Sequence, residues 1–221
     1  MTAKGHVYLV EDDSEVRLSL SDLLRYLGYG VSDFAGAESF LQQAQRCSPA
    51  VLVLDMRMPQ MTGLDLQKAL LEQDWPVPII YMSGESQSQE IIDAMKFGAI
   101  DFLWKPITHT QLIQVIDNGL KLDVQRHADQ KRLRRVEELH QTLSPTEQDV
   151  FTLVLLGHGN KDIAALKNVM PDTVKKHRAQ ILEKMQVNSL AELLAFWKSF
   201  APTHGQEQAE GIPSTFHLPR K

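Results

Sequence analysis

Acidic residues stand directly after two short apolar runs of the sequence. Glu11, Asp12 and Asp13 follow the run VYLV, and Asp55 follows the run VLVL. All-apolar runs of this length are typical of strands that are buried on both faces of a parallel sheet. Such sheets bind ligands outside the carboxyl ends of their strands, so we expect these carboxylates to gather at one edge. Because neighbouring carboxylates repel one another, the group favours a cation with oxygen ligands such as Mg²⁺.

A hydroxyl and an ammonium group stand at the ends of two further apolar runs. Ser83 ends the run IIYMS, and Lys105 follows the run DFLW. A phosphoryl group on a carboxylate needs partners of these two kinds. Each residue also has a simple structural explanation, since Asp12 or Asp13 would cap a helix beginning near Ser14, and Lys105 precedes a proline. Their joint occurrence at the ends of four apolar runs nevertheless favours a phosphoryl-transfer site.

The elements that must position these residues alternate along the first 120 residues. Five strand-like runs are separated by stretches in which apolar residues recur at helical spacing. The strand-like runs are 7–10, 30–34, 51–54, 77–82 and 99–104. This alternation predicts a doubly wound α/β domain, in which a parallel sheet carries helices on both faces. Right-handed connections would bring the carboxyl ends of the strands to one edge.

The second half of the chain has a helical character. The stretch 121–141 contains no proline or glycine and continues an apolar spacing of three or four residues, which predicts one long helix or a pair of helices. Ser144, Pro145 and Glu147 form a capping-box pattern that starts a run of four short helices. The end of the chain is rich in Gly, Pro and polar residues and is predicted to be disordered. The predicted units are a domain at 1–120, a helical linker at 121–141, an all-α domain at 142–200 and a tail at 201–221.

The distribution of charge also divides the chain near residue 120. The net charge is −5, but residues 1–120 carry 8 Lys and Arg against 16 Asp and Glu, whereas the remainder carries 15 against 12. This asymmetry indicates two domains with different partners. The single Cys47 excludes an internal disulfide framework and a thiol-rich metal site. Because the start lacks signal-peptide features and no apolar run reaches 18 residues, we expect a cytoplasmic protein without membrane contact.

Residues 5–120 resemble the receiver domain of bacterial two-component response regulators. The pieces that carry the resemblance are LVEDD, LVLDMRMPQMTG, IIYMSG and GAIDFLWKP. The resemblance implies a flavodoxin-like fold with five parallel strands, and it implies that Asp55 accepts a phosphoryl group from a sensor histidine kinase. Asp13 and Asp55 would bind Mg²⁺ directly. The backbone carbonyl of Arg57 would assist them, and Asp12 would act through water.

The same resemblance assigns roles to residues of the last two strands and the loop that follows them. Lys105 would pair with the phosphoryl oxygens, and its bond to Pro106 is expected to be cis. Ser83 and Phe102 would form a switch pair, in which the hydroxyl moves to the phosphoryl group while the ring turns inward. Phosphorylation adds about −1.5 to −2 charge, which attracts a serine hydroxyl and a lysine. In FixJ-like members, the fourth helix, the fifth strand and the start of the fifth helix form a dimer interface.

The helical domain resembles the LuxR-type helix-turn-helix, and the chain as a whole resembles the FixJ subgroup. The strongest matches are GHGNKDIA, DTVKKHRAQILEKMQV and LAELLAF. The second of these would be the recognition helix, whose N-terminal half meets base edges and phosphates in the major groove. The residues expected to contact promoter DNA are Lys161, Thr173, Lys175, Lys176, His177 and Arg178.

Two positions depart from the pattern of that family. Lys167 stands where the family normally has leucine, and Met170 stands where a serine-like cap is usual. We expect Leu166 to compensate by packing inward beside Ile163. Pro171 would compensate at the recognition helix by fixing its first turn.

These features predict a phosphorylation-activated, DNA-binding transcription regulator that dimerises when phosphorylated, with RNA polymerase as a further candidate partner. Apart from catalysing its own phosphoryl transfer and dephosphorylation, the chain is expected not to be an enzyme. One alternative is a phosphatase working through an aspartyl-phosphate, which would want a second acid two residues after Asp55, where Arg57 stands. Another alternative is a receiver whose helical half binds protein or RNA.

Overall fold

The computed structural model describes residues 4–85 and 88–198 of the chain. The chain divides into two compact units, Met1–Asp129 and Gln130–Lys221. The tail predicted at 201–221 lies outside the described residues, and the predicted domain limits remain predictions. Within the two described stretches, no helix combines the length and the apolar character needed to cross a lipid bilayer.

The first unit is a parallel sheet of five strands with helices on both faces. Its elements are β1 His6–Val10, α1 Ser14–Tyr26, β2 Gly30–Phe34, α2 Ala37–Gln43, β3 Ala50–Asp55, α3 Gly63–Glu72, β4 Ile79–Ser83, α4 Ser88–Lys96, β5 Asp101–Trp104 and the start of α5 His109–Gln141. The strand order is β2-β1-β3-β4-β5. The predicted flavodoxin-like fold is therefore confirmed. Because Val10 lies beside Leu54 in the register, the residues that follow these two positions emerge next to each other.

Two layers of apolar side chains cover the sheet. Val7 and Leu9 belong to one layer, and Tyr8 and Val10 belong to the other, as the alternation of a strand requires. Every residue of β3 is buried. Each fully buried aliphatic side chain contributes about 1.5–3 kcal/mol to folding. With both faces covered, Asp55 and Ser83 lie at the carboxyl ends of β3 and β4.

A single helix, α5, covers the stretch for which the sequence left one helix or two. Its 33 residues run without interruption from His109 to Gln141. Leu112 and Ile116 pack in the core of the first unit, whereas Val136 and Leu139 pack in the core of the second. The helix therefore begins in one unit and ends in the other.

Asp123 is a buried carboxylate of α5 that the sequence did not reveal. The residue is 3% exposed, and its Oδ2 accepts hydrogen bonds from Ser48 Oγ at 2.7 Å and from the backbone N–H of Ala50 at 2.9 Å. Its Oδ1 lies 3.8 Å from Nε2 of His127. These contacts tie α5 to the beginning of β3.

We expect Asp123→Ala to lower the free energy of unfolding of the first unit by about 1–3 kcal/mol, because the N–H of Ala50 would be buried without this acceptor. Urea denaturation of the full chain measures the change. The matched control is Asp129→Ala, at an exposed position of the same helix, where a change below about 0.5 kcal/mol is expected. Equal effects of the two substitutions would show that the buried hydrogen bonds do not stabilise the unit.

The second unit is helical, as predicted. Its helices after α5 are α6 Pro145–Leu155, α7 Asn160–Lys167, α8 Pro171–Lys184 and α9 Leu190–Lys198. The predicted capping box is present, since the N–H of Ser144 donates to Glu147 Oε2 at 2.7 Å and the N–H of Glu147 donates to Ser144 Oγ at 3.3 Å. Lys184 Nζ lies 2.6 Å from the same Oε2. This ammonium group, together with the capping hydrogen bonds, holds the pKa of Glu147 below its usual range.

The packing of α7 differs from the sequence-based prediction. Ile163 is buried, but Leu166 is 60% exposed, so the prediction that Leu166 packs inward was wrong. Ile163 and Ala164 define the buried face of the helix. Lys167 lies one turn after Ile163 on the same side of the helix, and its ammonium group pairs with Asp149 of α6. Leu166 is left at the edge of the face, in solvent.

The start of α8 has no side-chain cap. Met170 occupies the N-cap position without a side-chain hydrogen bond to the helix, and it is 73% exposed. Pro171 lies in the first turn, as predicted. The fixed backbone torsion of proline suits that position, which agrees with its expected compensating role.

Candidate functional sites

Three carboxylates meet at the carboxyl edge of the sheet. Ligand oxygens of Glu11, Asp12 and Asp55 all lie within 4.8 Å of one another. Glu11 is 1% exposed and Asp55 is 7% exposed, whereas Asp12 is open to solvent. The adjacency of β1 and β3 produces this group, because both strands end at the same level. An all-oxygen donor set with one side open to water fits Mg²⁺, which retains several waters when protein carboxylates bind it.

Lys105 joins two of these carboxylates. Its Nζ lies 2.7 Å from Glu11 Oε2 and 3.1 Å from Asp55 Oδ2. Burial alone lowers the pKa of Lys105, but the hydrogen bonds and charges of Glu11 and Asp55 outweigh burial and raise it. For Glu11, burial raises the pKa against the opposing hydrogen bond from Lys105. The Lys105–Pro106 peptide bond is cis, as the resemblance predicted.

Asp13 is not brought into the acidic group. Its Oδ1 instead accepts the N–H groups of Glu15 at 2.9 Å and Val16 at 3.1 Å, which makes it the N-cap of α1. The strand β1 ends at Val10, so the next two residues lie at the edge and the third caps the helix that starts at Ser14. Asp13 is therefore a helix cap, as the alternative explanation of this residue predicted. Glu11, which the predicted ligand set omitted, occupies the buried position.

The other predicted ligand and switch residues surround the acidic group. The N–H of Arg57 donates to Asp55 Oδ1 at 3.4 Å, and its guanidinium group lies 3.5 Å from the carboxylate of Glu90 in α4. Ser83 is buried at the end of β4, where its Oγ donates to the carbonyl of Glu85 at 3.0 Å. Phe102 is half-buried. The metal-ligand and switch roles of these residues remain predictions.

Four exposed apolar residues lie on α4, the turn after it and β5. Ile92, Met95, Phe97 and Trp104 are 46%, 45%, 40% and 53% exposed. We call these four residues the α4–β5 patch. The rings of Phe102 and Trp104 meet edge to face, with centroids 5.1 Å apart. Phe102 of the predicted switch pair is therefore in contact with Trp104 of the patch.

The predicted DNA contacts fall into two groups in the second unit. Lys161, Lys175 and Lys176 are exposed, whereas Thr173, His177 and Arg178 are half-buried. The guanidinium group of Arg178 donates to the side-chain oxygen of Asn160, which ties α8 to the start of α7. Within the described part of the chain, Nδ1 of His177 is buried without a hydrogen-bond partner.

The exposed face of α8 is basic and polar. It carries Lys175, Lys176, Ala179 and Gln180, positions that repeat at the spacing of one helical face. Lys175 pairs with Asp172 one turn earlier, with 3.0 Å between Nζ and Oδ1. This face is open to solvent, whereas the Arg178 side chain is engaged with α7.

Both halves of the chain match known protein families. Residues 7–117 match the response regulator receiver domain, and residues 141–197 match the luxR family of bacterial regulatory proteins. The response regulator protein TodT of Pseudomonas putida is 38% identical over 188 residues, which cover 85% of this chain and 83% of TodT. The transcriptional regulatory protein FixJ of Bradyrhizobium diazoefficiens is 36% identical over 194 residues, which cover 88% of this chain and 95% of FixJ.

Solved structures of two regulators resemble the whole chain. The response regulator StyR is 36% identical, with a TM-score of 0.75, and the match covers 88% of this chain and 98% of StyR. Full-length FixJ from B. japonicum is 35% identical, with a TM-score of 0.56, and the match covers 88% of this chain and 96% of that one. The order of the two domains is therefore shared with these proteins.

Proposed function

The chain belongs to the response regulators in which a receiver domain precedes a LuxR-family DNA-binding domain, and from this premise we propose that phosphorylation of Asp55 controls its binding to promoter DNA. The proposed donor is the phosphohistidine of a sensor kinase. The observation that carries the proposal is the position of Asp55, whose carboxylate lies beside two other carboxylates and 3.1 Å from Lys105 Nζ.

Phosphoryl transfer at this site requires little covalent chemistry from the protein. An oxygen of Asp55 attacks the phosphorus in line, a phosphorus–oxygen bond forms, and the bond from phosphorus to the imidazole nitrogen of the donor breaks. Lys105, already within hydrogen-bond distance of Asp55, then pairs with a phosphoryl oxygen. The charge of the ammonium group stabilises the negative charge that is transferred. The leaving imidazole nitrogen takes a proton from water, so the products are an aspartyl-phosphate and a neutral histidine on the kinase.

Glu11, Asp12 and Asp55 are the carboxylates that would hold Mg²⁺, with the backbone carbonyl of Arg57 as a further proposed donor. When bound, the ion supplies charge neutralisation at the attacking and transferred oxygens. Asp13 has no place in this set, because its carboxylate caps α1. The proposed set therefore contains Glu11 in place of Asp13 of the sequence-based set.

Ser83 and Phe102 are the proposed switch residues. The new charge on Asp55 would attract the Ser83 hydroxyl, and Phe102 would turn into the space beside β4. The contact between Phe102 and Trp104 would transmit this movement to the α4–β5 patch. We propose that the four residues of the patch form one surface through which two copies associate, because contiguous exposed apolar residues mark interaction sites. A dimer would place two α8 helices on one operator.

The remaining partners and properties belong to the same proposal. Double-stranded promoter DNA is the target, RNA polymerase is a further partner, and the cytoplasm is the compartment where these partners are found. Catalysis is limited to phosphoryl transfer onto and off Asp55. Rapid multiple turnover of phosphomonoesters would favour the phosphatase alternative instead. A gel-shift comparison of duplex DNA with single-stranded RNA would identify an RNA-binding output.

Beryllium fluoride, a mimic of the phosphoryl group, is expected to shift the full chain toward dimer in the presence of Mg²⁺. We expect about 1–3 kcal/mol of coupling, or about 5–150-fold in the association constant, which is the usual size of allosteric coupling. Sedimentation equilibrium measures the constant with and without the mimic. Asp55→Asn is the matched control and should show no shift. The dimer switch would be refuted by identical sedimentation of the wild-type chain in both conditions.

A further inference from the structure

The helix α4 carries part of the α4–β5 patch but has few buried contacts of its own. Of its nine residues, all of which the structure describes, only Ala94 is buried. Ile92 and Met95, by contrast, are 46% and 45% exposed. Elements with few buried apolar contacts have low local stability. The groups that fix the position of α4 therefore decide how well defined its surface is.

Gln67 of α3 holds the backbone of α4 at its one buried residue. The Gln67 side chain is 1% exposed. Its Nε2 donates to the carbonyl oxygen of Ala94 at 3.1 Å, and its Oε1 accepts a hydrogen bond from the hydroxyl of Tyr81 at 2.9 Å. Only this orientation of the amide satisfies both partners, because reversing it would place Oε1 against another carbonyl oxygen. The amide therefore joins α4 to α3 with a defined direction.

Tyr81 connects this amide to the neighbourhood of Asp55. Tyr81 is buried in β4, two residues before Ser83 and on the same face of the strand. A Cβ at Gly63 would lie 2.9 Å from ring atom Cε1 of Tyr81 and 2.5 Å from the carbonyl oxygen of Asp55, so Gly63 fits closely between them. Burial raises the pKa of the Tyr81 hydroxyl, which therefore stays protonated. The single proton of this hydroxyl is shared between Gln67 Oε1 and a second acceptor, the carbonyl oxygen of Gly63 at 3.0 Å.

We propose that Gln67 is a positioning residue of the switch: oriented by Tyr81, it fixes α4 against α3 and β4 and thereby defines the α4–β5 patch for association with a second copy of the chain. Its effect on dimerisation rests on the proposed function. A leucine would fill similar space, but apolar contacts are non-directional. A hydrogen bond, by contrast, weakens steeply with distance and angle. A surface held in one position loses less conformational entropy when it binds.

Gln67→Leu in the full chain tests this role. The substitution leaves neither hydrogen-bond partner of Gln67 unpaired, because the Tyr81 hydroxyl keeps the Gly63 carbonyl and the Ala94 carbonyl keeps the N–H of Ala99 at 3.1 Å. We expect hydrogen exchange of the α4 amides, measured without phosphoryl mimic, to become at least about fivefold faster. With Mg²⁺ and beryllium fluoride, the association constant of the dimer should fall at least about fivefold.

Tyr29→Phe is the matched control. It removes a hydroxyl that donates to Asp117 at 2.6 Å, and the Tyr29 side chain packs in the layer on the other face of the sheet. This variant should leave both the α4 exchange and the dimer constant unchanged. The double variant Gln67→Leu with Tyr81→Phe should behave as Gln67→Leu does, because Gln67 carries the bond to α4.

Two results would overturn the role of Gln67. One is unchanged α4 exchange in Gln67→Leu, and the other is an equal acceleration in Tyr29→Phe, which would indicate general loosening. If the wild-type chain does not dimerise with the mimic, the proposed dimer switch fails. The exchange measurement still decides the role of Gln67 in that case, because it needs neither phosphorylation nor a dimer.

Discussion

Asp12→Asn is expected to slow the Mg²⁺-dependent labelling of Asp55 by acetyl phosphate about 100-fold, whereas Asp13→Asn is expected to change it by less than about twofold. The difference follows from where the two carboxylates lie. Asp12 contributes an oxygen within 4.8 Å of those of Glu11 and Asp55, and its removal takes one charge from the proposed metal site. A hundredfold effect corresponds to about 2.7 kcal/mol, which lies within the several kcal/mol of charge stabilisation that a metal ion supplies.

Asp13→Asn is a matched control with the same change in charge. Asparagine caps helices about as well as aspartate does, so the hydrogen bonds to the start of α1 should survive. Urea denaturation of both variants checks that each remains folded, and Asp55→Asn supplies the background without an acceptor. Strong loss of labelling in Asp13→Asn, with little loss in Asp12→Asn, would restore the sequence-based ligand set and reject the one proposed from the geometry.

The one-residue difference in the ligand set shows what the sequence could predict. Buried strands, alternating helices and acids at the strand ends predicted the five-stranded sheet and the acidic edge, and the fold is confirmed. A run of three acids, however, can be placed in two ways, with Glu11 or with Asp13 as the residue outside the pocket. The choice depends on where β1 ends and α1 begins: the strand ends at Val10, and Asp13 is the N-cap of the helix.

Pairings between residues distant in the chain were not predictable for a related reason. Asp123 accepts hydrogen bonds from residues 73 and 75 positions earlier, and no local pattern marks it as buried. Lys167 departs from the family pattern, and its partner Asp149 lies on another helix. The exposure of Leu166 follows from that packing. Helical spacing identifies an apolar face, but tertiary contacts decide which positions at its margin are covered.

The basic face of α8 gives the second large expected effect. Lys176→Ala is expected to weaken operator binding by about 1–3 kcal/mol per subunit if the lysine contacts a base, and so by about 2–6 kcal/mol in a dimer that carries two copies. Lys175→Ala should cost less. Lys175 must first leave its ion pair with Asp172, whereas Lys176 has no ion pair within residues 4–85 and 88–198. An exposed pair of this kind is worth about 0.2–1 kcal/mol, enough to reduce the gain from a new contact.

The measurement uses operator fragments, which the full chain selects from genomic DNA in the presence of Mg²⁺ and beryllium fluoride. Affinity at several salt concentrations separates two kinds of contact. Loss of a base contact relaxes sequence preference, whereas loss of a phosphate contact lowers the salt slope by about 0.9 for each phosphate.

Lys121→Ala, at an exposed position of α5, is the control for a change of one positive charge. Arg178→Ala should lower stability as well as affinity, because its guanidinium group joins α8 to Asn160 of α7. If both exposed lysines can be removed without loss of DNA affinity, α8 is not the DNA-reading helix, and an output through protein or RNA becomes the better explanation of the second domain.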